Sequence, residues 1–169
     1  FAELDFSGVA DWFSTTAQAA EKFTEGDLTY TVENGEATIT DCNDETSGEL
    51  VIPDTLGGYP IVRIGGICAF ANCKKLTCII MPNSVTDIGI GAFSYCDSLK
   101  NVTLSSNLNR IEDFAFDNCI SLSNVVIPKG VHYIGENAFI DCVKLTSEKK
   151  SSIMKSIAIV TDSNCGMSP

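Results

Sequence analysis

The sequence predicts a repeat solenoid, mostly β, in which parallel strands are joined by tight turns and short helical corners. The first observation behind this is a period. Phenylalanines stand at Phe70, Phe93, Phe116 and Phe139, each 23 residues after the last. The second is that the period holds in several registers at once. Ala69, Ala92, Ala115 and Ala138 precede the phenylalanines, Cys73, Cys96, Cys119 and Cys142 follow three residues later, and Leu76, Leu99, Leu122 and Leu145 come three beyond those. The third is that a unit of this size cannot stand alone. A single 23-residue unit has too little apolar area to outweigh its own chain entropy, whereas stacked units place like residues on like and build a continuous column.

Each element of the unit follows from its residues. After the leucine comes a short apolar run, Ile79-Ile80-Met81-Pro82 or Val125-Val126-Ile127-Pro128, with Ser105 in place of the proline in the middle copy. Its period of two reads as a strand, and proline at its end stops the ladder where the coil turns. A pair three apart follows: Val85 and Ile88, Leu108 and Ile111, Val131 and Ile134. These form a second extended piece, with Gly89 and Gly135 at its turn. Ala-Phe-x-x-Cys then makes a tight corner, in which alanine suits the crowding between coils. An earlier partial copy runs from Leu50-Val51-Ile52-Pro53 through Gly57-Gly58-Tyr59-Pro60 to Ile61 and Ile64.

This pattern resembles the BspA-like, or Treponema-type, leucine-rich-repeat family. In that family a strand ends in Ile-Pro and is followed by Val-x-x-Ile-Gly and then Ala-Phe-x-x-Cys-x-x-Leu. The resemblance covers residues 28–146. It implies a curved, right-handed solenoid of bacterial or protist surface proteins, used in adhesion and protein interaction, and it brings no catalytic residues to transfer.

The ends differ from the repeat. Val9, Trp12, Phe13, Thr16, Ala17, Ala20 and Phe23 fall at helical spacing, and Gly26 would end the helix, so residues 8–24 are expected to be amphipathic and helical. Leu28–Val32 and Ala37–Thr40 flank Asn34-Gly35, the strongest short hairpin signal. After Leu145 the charges of Glu148, Lys149 and Lys150 interrupt the expected strand. Ile157-Ala158-Ile159-Val160-Thr161-Asp162-Ser163 then resembles the opening strand of DegV-like fatty-acid-binding proteins, which implies an adjoining lipid-binding domain. The resulting division is a helical segment over 1–27, a capping hairpin over 28–49, the solenoid over 50–146, and a tail with one strand over 147–169.

Composition narrows the partners. With 22 acidic and 11 basic residues the formal charge is −11, a field that repels phosphate backbones, so no nucleic-acid partner is expected. No apolar run reaches the 18 or so residues that cross a bilayer, so no membrane span is expected.

Eight cysteines would suggest disulfides in a secreted chain. Here Cys73, Cys96, Cys119 and Cys142 occupy one structural position and are expected to form a ladder of buried, inert thiols that satisfy backbone groups at the corner. One cysteine per coil cannot converge on a zinc ion. Cys42, Cys68, Cys78 and Cys165 lie off this ladder, with no connectivity legible.

His132, the lone histidine, falls at an outward position with no catalytic partner. Asp41, Asn43 and Glu45 alternate as calcium ligands do, but Thr46 stands where such a loop needs glycine, and a solvated acidic loop is the better reading. Neither a phosphate-binding loop nor a nucleophile elbow occurs, so no enzyme, cofactor or metal is expected. The candidate binding face is the outward side of the strands, with Val51, Ile80, Thr103 and Val126 in one row and Glu49, Cys78, Asn101 and Asn124 beside it. Its expected partner is a protein or a surface glycan, and the resemblance of the repeats implies a place at the cell surface or outside the cell. A genuine DegV-like tail would place it in the cytoplasm.

Overall fold

The computed structural model describes residues 20–153. The chain opens with β1 (Lys22–Glu25), β2 (Leu28–Glu33) and β3 (Glu36–Cys42), an antiparallel meander. The Asn34-Gly35 turn has both residues at positive φ, 54° and 80°, as a two-residue hairpin whose twist matches its strands requires. The expected helix over 8–24 is corrected at its end. Residues 22–25 are strand, and Gly26 (φ 59°) turns the chain back so that Phe23 faces Tyr30 at 5.6 Å. Cross-strand pairing and that ring contact outweigh the helical spacing there. The remainder of the predicted helix lies outside the described residues.

Next come β4 (Gly48–Val51), β5 (Thr55–Leu56), β6 (Tyr59–Ile67), β7 (Leu76–Ile80), β8 (Asp87–Ile90), β9 (Asn101–Thr103), β10 (Arg110–Ile111), β11 (Asn124–Val125) and β12 (Tyr133–Ile134). Each coil lays one strand in each of two parallel ladders. The first ladder runs β4-β7-β9-β11, and the second runs β3-β6-β8-β10-β12, with the hairpin β1-β2 added to its starting edge and β5 folded back on β6. The register steps by one repeat between coils: Ile79 lies beside Val102, and Val102 beside Val125. Parallel stacking at constant register is what a 23-residue period must produce.

The core is the stack of inward residues. Phe70, Phe93 and Phe116 are fully buried, and Phe139 nearly so. Their rings stack at 5.0, 5.1 and 5.2 Å between centroids. The corner is not helical. It is a run of turns in which the residues two before and two after each phenylalanine take the left-handed conformation: Cys68 and Asn72, Gly91 and Tyr95, Phe114 and Asn118, Asn137 and Asp141. Left-handed residues on both sides of the phenylalanine reverse the chain in too few residues for a helix to form. Ser105 takes over the missing proline's role in the middle copy, since it is fully buried and its hydroxyl accepts the Asn107 amide at 3.2 Å.

Among the described residues the last coil is followed by α1, described over residues 147–153. Thr146 starts it, its hydroxyl accepting the Lys149 amide at 3.4 Å, and Ile153 is buried against the last coil. Lys149 extends the coil-to-coil bonding by other means. Lys100 N–H donates to Thr77 O and Ser123 N–H to Lys100 O, and the Lys149 ammonium then donates to Ser123 O at 2.6 Å.

Candidate functional site

The strand row forms as its alternation dictates. In the first ladder Glu49 lies beside Cys78 and Val51 beside Ile80, Cys78 and Ile80 lie beside Asn101 and Thr103, and Asn124 lies beside Asn101. The inward partners Ile79, Val102 and Val125 are buried, so the other face is free to meet solvent. Val51 and Val126 keep 58% and 72% of their surface exposed, values that core packing cannot account for. Glu49, Asn101, Thr103 and Asn124 are also exposed, while Cys78 and Ile80 in the middle are half-buried. Burial and the neighbouring Glu49 carboxylate push the Cys78 thiol above its ordinary pKa, so it is a poor nucleophile. At Val126 the row meets a cavity of about 190 Å³ between Val125–Ile127 and the α1 residues Lys149, Ser152 and Ile153.

A second apolar surface lies on the corner side and is absent from the outward residues singled out in the sequence. Ile67 and Ile90 pair in the second ladder with 71% and 45% exposure, and Phe114 and Tyr95 stand on adjoining corners, also exposed. The signal was available in the same period, because Ile67 and Ile90 both sit three residues before a phenylalanine. Below them on that ladder, Arg110 donates twice to Glu112, at 3.0 and 2.9 Å, and lies 4.3 Å from the Tyr133 ring centre.

The thiol ladder is present and bonded. Cys73, Cys96, Cys119 and Cys142 are fully buried free thiols. Cys96 donates to Phe70 O at 3.0 Å, Cys119 to Phe93 O at 3.1 Å, and Cys142 to Phe116 O at 3.0 Å. Burial pushes the Cys96 thiol up to about 12. Cys42 lies off the ladder by its sequence spacing. It is buried, and its thiol lies 3.5 Å from the Thr46 hydroxyl. Cys68 and Cys78 are free, and Cys165 lies outside the described residues.

His132 is exposed and within 3.3 Å of Gly130 O. In the acidic loop Asn43 accepts the Glu45 amide at 3.0 Å, and Glu45 pairs with Lys75, so these side chains are engaged in turn and ion-pair contacts. Among the described residues no cluster of His, Cys, Asp or Glu is arranged to hold a metal ion. Nor is any helix there long and apolar enough to cross a membrane.

Comparison with known proteins agrees with this geometry. A leucine-rich repeat protein of T. pallidum is similar, with TM-score 0.63 and 26% identity over 75% of this chain and 70% of that one. One from Bacteroides capillosus is 33% identical over 67% of this chain and 86% of that one, with TM-score 0.61. One from Bacteroides ovatus has TM-score 0.60 and 27% identity, covering 70% of this chain and 33% of that one. None of the curated proteins searched matches the chain. The family model for the BspA type leucine-rich repeat region matches residues 61–167 in six copies. It runs across Ile157–Ser163, and nothing in these comparisons supports the DegV-like resemblance of that stretch. Proteins of this fold are generally non-catalytic repeat modules that bind other proteins. With its repeats matched over more than half its length and its coils superposing on those of bacterial relatives, the chain belongs to the BspA-type leucine-rich repeat family.

Proposed function

We propose that this chain is a non-catalytic interaction module of a bacterial surface or secreted protein, and that it acts in adhesion by binding another protein through the outer face of its first ladder. One observation carries the proposal. Val51, Ile80 and Val126 hold β-branched side chains in a row on a rigid parallel sheet, and the two end members stay mostly exposed. Exposed apolar surface rimmed by polar groups marks contact sites. Here Glu49, Asn101 and Asn124 form the rim and supply directional hydrogen bonds. The same asparagines give a surface glycan the second place among partners.

The second surface, Ile67 and Ile90, supplies the control. The parent chain, an Ile80→Asp/Val126→Asp variant and an Ile67→Asp/Ile90→Asp variant are used as baits against host-matrix and bacterial-surface extracts, with circular dichroism confirming each fold. A partner retained by the parent and the second variant but lost by the first supports the strand face. Loss only in the Ile67→Asp/Ile90→Asp variant moves the contact to the corner side. A partner retained by the parent and both variants excludes both faces.

A further inference from the structure

Between β6 and β8 the second ladder breaks its register, and a cavity lies at the break. Phe93, Phe116 and Phe139 follow Ile88, Ile111 and Ile134 by five residues, whereas Phe70 follows Ile64 by six. The extra residue falls in Gly65-Gly66. Ile64 pairs with Ile88 and Ile67 with Ile90, so three steps of β6 face two of β8, and Gly65 absorbs the misfit at φ 78°. Such a bulge bends its strand and re-aims the side chains beside it. The cavity, of about 350 Å³, is lined by both glycines, Arg63, Asp87, Ile90 and the Arg110–Glu112 pair, among others. Arg63, Asp87 and Arg110 are successive neighbours in register. Arg110 is committed to Glu112, to which it donates twice. Arg63 is exposed and forms no ion pair among the described residues. Asp87 accepts the Thr86 hydroxyl at 2.6 Å, one of about four bonds that a carboxylate can take. The cavity thus sets a guanidinium fork beside an acceptor, and Ile90 joins it to the exposed surface of Ile67.

We propose that this cavity binds the C-terminus of a partner protein whose last residue is apolar. Three groups carried by one terminal Cα meet three groups of the cavity. The terminal carboxylate takes the planar Arg63 fork, which can hold it by two parallel bonds. The amide N–H of the same residue donates to Asp87, and its side chain lies against Ile90 and Ile67. Arg63 and Asp87 are adjacent strand positions, about 4.8 Å apart, so one residue reaches both. An acidic side chain sets its carboxylate farther from its own amide and brings no apolar branch, so it satisfies fewer of the three. The volume is at the small end of ligand cavities, which run from about 300 to 1,000 Å³, and suits one terminal residue better than a long segment. This site is on the second ladder and does not depend on the first-ladder face.

Titration of the full chain with the dipeptide acid N-acetyl-glycyl-leucine, followed through backbone amide resonances, tests this. The Gly65, Gly66 and Gly89 amides shift saturably, while the Phe116 amide stays in place and reports the intact core. Arg63→Gln, at an exposed position, weakens binding at least roughly tenfold with the Phe116 resonance unchanged. The C-terminal amide of the same dipeptide, which keeps the side chain and loses the carboxylate, does not saturate over the same range. Unmoved glycine resonances with the acid overturn the proposal, as do equal binding of acid and amide and undiminished binding by Arg63→Gln. Equally tight binding of a C-terminally amidated acetyl-leucyl-aspartate, whose one carboxylate is on a side chain, also overturns it, in favour of an internal acidic segment.

Discussion

The Cys119 thiol donates to the carbonyl oxygen of Phe93 in the coil before it, at 3.1 Å. The same bond joins Cys96 to Phe70 and Cys142 to Phe116, so each thiol ties its corner to the coil before it through a carbonyl that also accepts a backbone amide within its own corner. Such a thiol must keep its proton. Burial holds the Cys96 thiol at about 12 against an ordinary value of 9.0. Between those values the unfolded chain gives up the proton and the folded one retains it, so stability falls as pH rises. The slope from this group is about 1.4 kcal/mol per pH unit. Urea unfolding at pH 8, 9, 10 and 10.5 is expected to show the decline, with a shallower slope in Cys96→Ala. An unchanged slope in that variant would remove the thiol from the alkaline transition.

The phenylalanine column makes a graded prediction. Phe116 is fully buried between Phe93 and Phe139, whereas Phe139 is 7% exposed and, among the described residues, stacks on Phe116 alone. Phe116→Ala is expected to cost about 3–5 kcal/mol. Phe139→Ala, with a smaller cavity and one ring partner, should cost about 2 kcal/mol less. Equal losses in chemical denaturation would mean that the column is as tightly packed at its end as in its middle.

Why so much of this fold was legible follows from the period itself. Residues 23 apart repeat one environment, so Phe, Ala, Cys and Leu each report their position several times over, and the outward row of Val51, Ile80, Thr103 and Val126 follows from alternation alone. The ends lack that redundancy. Lys22–Glu25 carries four exposed residues and is held by pairing with β2, which no local spacing announces. α1 is described over seven residues only, and the charges of Glu148, Lys149 and Lys150 read as an interruption of a strand. The corner's backbone was hidden for another reason. Asn72, Asn118, Asn137 and Asp141 are residue types that tolerate positive φ, but Cys68, Tyr95 and Phe114 share that conformation and give no sign of it.

Tyr95 is therefore strained, and the strain is measurable. Its φ is 60° at a position where the other three coils place asparagine or aspartate, and its ring is 47% exposed. A bulky side chain in this region costs about 1–3 kcal/mol, and Tyr95 recovers little of that by burial. Tyr95→Asn is expected to stabilise the chain by about 1 kcal/mol, read as a higher urea midpoint at constant slope. A lower midpoint would mean that the exposed ring makes stabilising contacts greater than its backbone cost.

The coils approach each other closely where Gly89 passes Gly65. A side-chain carbon added at Gly89 would lie 2.2 Å from the Gly65 carbonyl oxygen and 2.9 Å from its carbon, both backbone atoms of the neighbouring coil. Neither can move without opening the parallel ladder that joins β6 to β8, where Ile64 lies beside Ile88. A carbon added at Gly66, one residue along the same strand, meets nothing within 4 Å, and its backbone is not in the left-handed region. Gly89→Ala is thus expected to cost at least about 3 kcal/mol through overpacking, while Gly66→Ala stays within about 0.5 kcal/mol of the parent. The pair separates close approach from any general intolerance of alanine in these strands. If the two variants melt together, the coils are not in contact at Gly89 and the second ladder is looser than its register indicates.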